Sequence, residues 1–257
     1  MNLPAPSEPL AERAHIAHSP RAIPAVRIPT VPEAVRVMLF ALGYIVLAIG
    51  AVVGVAYLFR LQGSTFGLVT SVGIEANLAA LFAVWFHLVK KRRYRWADLG
   101  LTAPSWRILH ILWQAPVLLV VSVVFAGLAL QLFFGDDPPS SSSSAATAAL
   151  GMPAVFMVLA WFVVGVLTPF VEEIVFRGVL FRALNQRMPA IWAVILGGII
   201  FGAAHVAPPA LPYVTAVGIG LCLVTLFHRN IWASILIHAF NNSMVFLLIV
   251  AGVKSAT

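Results

Sequence analysis

Val171-Glu172-Glu173-Ile174-Val175-Phe176-Arg177 sets two carboxylates and a guanidinium inside an otherwise apolar stretch. An ionisable group at membrane depth costs a few kcal/mol or more, so its presence points to a function. Of nine acidic residues, Glu8, Glu12, Glu33, Asp98, Asp136 and Asp137 lie in the tail or in polar connections, and only Glu75, Glu172 and Glu173 fall within apolar runs. Two further apolar segments carry groups of catalytic type, Phe201-Gly202-Ala203-Ala204-His205 and His238-Ala239-Phe240-Asn241-Asn242. Carboxylates and imidazoles can act as bases, and imidazoles and amides can donate hydrogen bonds to a developing negative charge. The sequence holds no H-E-x-x-H, no pair of aspartates in apolar helices and no serine in a glycine-flanked membrane motif.

The chain that must position these groups has 257 residues, 61% of them apolar and 10% charged. Soluble chains carry about a quarter charged residues, and several runs here exceed the roughly 20 apolar residues that cross a bilayer core. The expected class is all-α, a polytopic transmembrane bundle of about seven (seven to eight) spans. A barrel would show short alternating segments. The expected segments are 33–59, 66–89, 108–134, 148–187, 190–205, 213–227 and 231–250, the fifth of them glycine-rich. Residues 1–32, proline-rich and without an apolar period, read as a disordered tail. Residues 33–147 then form the N-terminal helices with a Ser-rich loop, and 148–251 form a second group of helices that carries all three polar motifs.

The net charge of +7 sits in short loops, at 90–95, 177–187 and 228–229. That placement argues for membrane orientation rather than nucleic-acid binding and puts the N-terminus in the cytoplasm, with seven crossings leaving the C-terminus outside. The single cysteine, Cys222, lies in an apolar run and reads as a packed core residue. His87, His110 and His228 fall near segment ends and read as interfacial. Glu75 and Asn77 fit either an interhelical hydrogen bond or a place in the site lining.

Successive helical residues point about 100° apart, so Glu172 and Glu173 cannot share a direction. Glu173 and Arg177 are four apart and face each other, which leaves Glu172 free for chemistry. His238 and Asn242 also share a face. Glu172 is sixteen residues before Met188 and His205 sixteen after Pro189, so in a hairpin both sit about 24 Å from the turn. His238 is eight residues from Asn230, about 12 Å from its own turn. The levels match only if the fourth–fifth hairpin projects about 12 Å beyond the inner surface.

Taken together, Glu172-Glu173-x-x-x-Arg177, Phe201-x-x-x-His205 and His238-x-x-x-Asn242 resemble the CPBP family of intramembrane proteases. That family includes the type 2 CAAX prenyl proteases and bacteriocin-related bacterial members. The resemblance covers about Ala148–Val250. It implies that Glu172 and His205 activate a water, that His238 and Asn242 stabilise the oxyanion, and that Glu173 and Arg177 support the site. It also implies a peptide or membrane-protein substrate, no required cofactor, and residence in a bacterial inner or plasma membrane.

The same residues fit three other readings. Glu172, His205 and His238 are acceptable zinc ligands, which would make the hydrolysis metal-dependent. A buried ion network locking an immunity or scaffold protein together is a second alternative, and a proton-coupled transporter using Glu75 and Glu172 is a third.

Overall fold

The computed structural model describes residues 26–58, 65–135, 153–205 and 208–256, and among them every regular element is helical. Seven apolar helices follow in order: α1 Val31–Leu58, α2 Thr70–Lys90, α3 Trp106–Phe134, α4 Ala154–Asn185, α5 Ala190–Ala204, α6 Pro208–His228 and α7 Trp232–Ala251. All but α5 are long and apolar enough to cross a membrane, so the chain is a multi-pass helical membrane protein. The fifteen residues of α5 reach about 22 Å, short of the roughly 30 Å hydrocarbon core. The expected seven segments therefore resolve as six full-length helices and one shorter one. The expected tail up to residue 25, the Ser-rich loop from 136 and the start of the proline-rich connection at 206–207 lie outside the described residues.

Helix α4 is not regular throughout. Pro169 has no N–H to give to the preceding turn, and its ring crowds that turn's carbonyl. The helix widens to π geometry over Val163–Leu167, returns to α geometry over Thr168–Glu173, and widens again over Ile174–Phe181. Such π turns are frequent at functional sites, and here they flank the two carboxylates.

Within the second wide segment a Cβ on Gly178 would lie 2.7 Å from the carbonyl oxygen of Leu99. Only glycine lets the Trp96–Leu99 turn press against α4. Gly100 follows with φ of +90°, a conformation glycine adopts without penalty, and its carbonyl accepts the Ile231 N–H at 3.1 Å. Gly178, Gly100 and Ile231 therefore share one level. Met188 lies ten residues beyond Gly178, so the α4–α5 hairpin runs about 15 Å past that level.

Close backbone contacts hold the remaining helices. A Cβ on Gly198 of α5 would sit 2.8 Å from the Ile219 backbone nitrogen of α6, an approach that small residues permit in membranes. Helix α7 meets α4 where a Cβ on Gly165 would lie 2.8 Å from Ser243 Oγ, and Trp161 Nε1 donates to that hydroxyl at 3.1 Å. Asn77 of α2 donates to Thr168 Oγ1 of α4 at 2.8 Å, so it forms an interhelical bond. Cys222 is buried, as expected of a packed core thiol.

One expectation needs correction. Arg177 does not belong with the basic loops that orient the chain, because it is fully buried against Glu173. His228 stands at the C-terminal end of α6, as its position near a segment end implies, with 5% accessibility and Nε2 bonded to Gln114 at 2.8 Å.

The chain before α1 is tied to the α2–α3 connection through Asp98. Arg95 Nη2 donates to Asp98 Oδ1 at 2.8 Å, and the Arg27 N–H donates to the same oxygen at 3.2 Å. Hydrogen bonds from the Arg95 side chain, opposed by burial and aided by the Arg95 and Arg27 backbone N–H groups, hold the Asp98 carboxyl down to about 2. A carboxyl depressed on folding stabilises above its unfolded value near 4, and that contribution fades as pH falls from about 4 through about 2. Because Arg95 is half-exposed, we expect the contribution to be about 1–2 kcal/mol. Thermal unfolding in detergent should show the wild type losing stability over that pH window relative to Asp98→Asn, and parallel curves would contradict the assignment.

Candidate active site

The site is built on the regular turn Thr168–Glu173 of α4, between its two π segments. The 100° step between neighbours sends the two carboxylates different ways. Glu173 points inward and is wholly buried, whereas the Glu172 side chain keeps 22% exposure.

Glu173 Oε1 accepts from Arg177 Nη1 at 2.7 Å and from His238 Nδ1 at 2.8 Å. Arg177 also donates from Nη2 to the Gly218 carbonyl at 3.1 Å and lies over the Phe201 ring, 4.3 Å from its centroid. One buried ion pair thus touches α4, α5, α6 and α7. The same Phe201 ring meets His205 and His238 edge-on, with centroids 4.8 and 5.6 Å apart. Its carbonyl accepts from His205 Nδ1 at 2.9 Å. A carbonyl can only accept, so Nδ1 carries the proton and the Nε2 lone pair of neutral His205 is free.

That nitrogen faces Glu172. Glu172 Oε1 lies 3.8 Å from His205 Nε2, and Oε2 lies 3.7 Å from His238 Nε2. Oε2 is buried and has no hydrogen-bond partner among the described residues. The His205 side chain is 31% exposed and His238 only 3%, so the site opens on the His205 side. Glu172 is six residues from Gly178 and therefore about 9 Å from the level of the Gly100 and Ile231 turns.

Asn242 donates from Nδ2 to the Val164 carbonyl at 3.1 Å, within the first π segment. Its neighbour Asn241 is buried, and its Oδ1 accepts from the Tyr213 hydroxyl at 2.8 Å. The structure therefore gathers Glu172, Glu173, Arg177, His205 and His238 directly and sets Asn242 one turn along from His238. Sequence reasoning missed Tyr213 and Asn241, because nothing in their spacing links a tyrosine on α6 to α7. Glu75, on α2, has its Oε2 buried without a hydrogen-bond partner among the described residues.

No three His, Cys, Asp or Glu side chains among the described residues are grouped to hold a metal ion. Glu172 turns one oxygen toward each imidazole.

This is the architecture of a helical membrane protein with a polar, partly open site on its longest span. Comparison with known proteins places the segment more closely: residues 154–244 match the family model described as type II CAAX prenyl endopeptidase Rce1-like. The family read from the three motifs is the one this match returns. The chain is also 30% identical over 80 residues to "Putative membrane peptidase YdiL" of Bacillus subtilis (strain 168). That similarity covers 31% of this chain and spans a third, 33%, of the relative's length. No solved structure matches.

The two carboxylates should separate in a stability measurement. Glu173→Gln strands Arg177 in the interior, and breaking a buried pair by removing one partner costs about 3–5 kcal/mol. Its thermal midpoint in detergent should drop well below wild type, while Glu172→Gln should stay near it. Equal losses would mean that both carboxylates serve packing.

Proposed function

We propose that the protein is an intramembrane endopeptidase that hydrolyses a peptide bond with a water activated by Glu172 and His205. The single observation behind this reading is the partly open Glu172 carboxylate, set 3.8 and 3.7 Å from the free Nε2 atoms of two histidines. Separations beyond 3.5 Å suit a bridging water better than a direct bond. With legs of about 2.8 Å, one water can bond a carboxylate oxygen and an imidazole nitrogen together. Glu172 then takes one proton as the water oxygen attacks the carbonyl carbon, while the other water hydrogen is held by the unprotonated Nε2 of His205. When the tetrahedral intermediate collapses, the C–N bond breaks and the proton on Glu172 passes to the leaving amine nitrogen.

The oxyanion falls to His238 and Asn242. His238 donates a hydrogen bond from Nδ1–H to Glu173, so Nε2 is a donor only in the imidazolium form. Glu173 and Arg177 form an internally neutral pair, and a His238 cation is then balanced by the Glu172 carboxylate. The charges in the pocket cancel, which makes a protonated donor tolerable away from bulk water. Asn242 has a second Nδ2 proton beyond the one held by Val164. Glu173 and Arg177 act by fixing the His238 ring.

In this reading residues 148–251 are the catalytic core, and residues 33–147 add the first three spans. The N-terminus is cytoplasmic, in a bacterial inner or plasma membrane, and the site lies just inside the cytoplasmic face. The substrate is a peptide or membrane-protein segment, hydrolysed without a cofactor.

Purified protein in detergent should cleave CAAX-type or unlipidated reporter peptides. Glu172→Gln or His205→Ala should lose activity by about 10²–10⁴-fold, the range for positioned general acid–base groups, with insertion and folding intact. Activity should survive exhaustive chelation. Loss on chelation with recovery only on adding zinc would replace this mechanism with a metal-dependent one, and a cleavage-competent Glu172→Gln would remove Glu172 from the chemistry. Pairing each peptide with its prenylated form tests whether a lipid on the substrate matters.

A further inference from the structure

A second polar feature lies away from the active site, where the start of α1 meets the end of α2. A cleft of about 240 Å³ is lined by Glu33, Arg36, Val37, Phe40, His87, Leu88, Lys91 and Arg92. Its charges are unequal. Glu33 is engaged by Arg92 at 3.2 Å and by the Tyr94 hydroxyl at 3.0 Å. Arg36 and Lys91 are exposed, and neither has an acidic partner among the described residues. Lys91 leans over the Phe86 ring at 4.7 Å. Both cations act on His87, whose ring stacks on Phe40 at 3.9 Å between centroids and whose Nε2 bonds the Tyr44 hydroxyl at 3.1 Å. The arrangement is a pair of uncompensated cations over a fixed aromatic wall.

The other wall is apolar. Val37 and Leu88 are buried at its base, and Phe40 is 39% exposed at its edge. From there α1 continues outward through Leu39, Leu42, Val46 and Leu47, all more than half exposed. In a membrane-spanning helix that face meets acyl chains. The cleft therefore has a cationic mouth at the level of Lys90–Arg93 and a greasy floor that runs into the lipid-facing surface. A free anion would satisfy the mouth and leave the floor wet. A ligand carrying both a phosphate and hydrocarbon satisfies both.

We propose that this cleft binds the headgroup of an anionic phospholipid from the surrounding leaflet, with its phosphate between Arg36 and Lys91 and its acyl chain along Phe40 and the outer face of α1. The site is distinct from the hydrolytic centre and does not depend on the peptidase reading. Juxtamembrane cations attract anionic headgroups generally; the cleft adds a defined position, and that is what the test must separate.

Delipidated protein in detergent is mixed with phosphatidylglycerol or phosphatidylcholine, and bound lipid is counted by native mass spectrometry. Wild type should retain phosphatidylglycerol over phosphatidylcholine, a comparison that needs no variant. Arg36→Gln with Lys91→Gln should weaken that retention by roughly tenfold or more, whereas Lys90→Gln removes a neighbouring charge outside the cleft and should leave it. The charge-keeping pair Arg36→Lys with Lys91→Arg should bind as wild type does, which separates lost binding from misfolding. Equal retention of the two lipids, or equal weakening by Lys90→Gln, would overturn the site in favour of a diffuse basic surface. Displacement of the lipid by millimolar glycerol 3-phosphate or inorganic phosphate would make it a soluble-anion site instead.

Discussion

Arg177 sets the terms for the rest of the structure. A guanidinium with no exposed surface in a membrane protein loses its hydration outright, and several kcal/mol must come back from its surroundings. Glu173 supplies the counter-charge at 2.7 Å, the Gly218 carbonyl takes a second donor at 3.1 Å, and the Phe201 face covers the cation. Each partner sits on a different turn or a different helix, so the charge is tolerated only when α4, α5 and α6 are correctly seated together. His238 joins through the same Glu173 oxygen and fixes α7. A buried pair of this kind adds little net stability over apolar packing, but it penalises every wrong arrangement of the four helices.

That constraint explains the glycines. Arg177 can reach the Gly218 carbonyl only if α5 and α6 let the backbone come close. Gly198 and Gly218 lie against each other, with a Cβ on Gly218 only 3.0 Å from the Gly198 carbonyl oxygen. The π turns belong to the same solution. Pro169 disrupts one turn of α4, and the relaxed hydrogen bonding on its N-terminal side leaves the Val164 carbonyl available to Asn242. The Asn242 side chain of α7 thus bonds a carbonyl in the irregular backbone of α4, one of the ways in which a membrane tolerates such a break.

Much of this was legible in the sequence, for identifiable reasons. Four-residue spacing made Glu173 and Arg177 face each other, and equal distances from the Met188–Pro189 turn put Glu172 level with His205. Charged and polar groups stand out against an apolar background, so the expensive residues were visible at once. What spacing could not carry was the second bond of each group. Glu173 serves His238 as well as Arg177, Asn241 meets Tyr213, and Asn77 meets Thr168. These contacts join helices whose rotation about their own axes is set by packing, and an apolar face of near-uniform hydrophobicity leaves that rotation unstated. For the same reason sequence alone groups Arg177 with the orienting charges: it continues into Arg182 and Arg187, and its complete burial separates it from them.

The depth of the proposed site bears on what it could cut. Every backbone N–H in an intact transmembrane helix is bonded within that helix, so its amide planes are closed to a nucleophile, and opening them in hydrocarbon costs several kcal/mol per unsatisfied group. Under the proposed function, a hydrolytic centre about 9 Å from the Gly100–Ile231 level, open on the side of His205, would avoid that cost for one class of chain. Segments in extended form keep their amides exposed, and water can satisfy the groups that the protein does not. On that reading extended tails and juxtamembrane stretches meet the requirement, and the middle of a membrane span does not. The division between Glu173 and Glu172 follows the same logic. A carboxylate locked in a dry ion pair holds the frame, and its neighbour, turned 100° toward the opening, keeps part of its surface exposed.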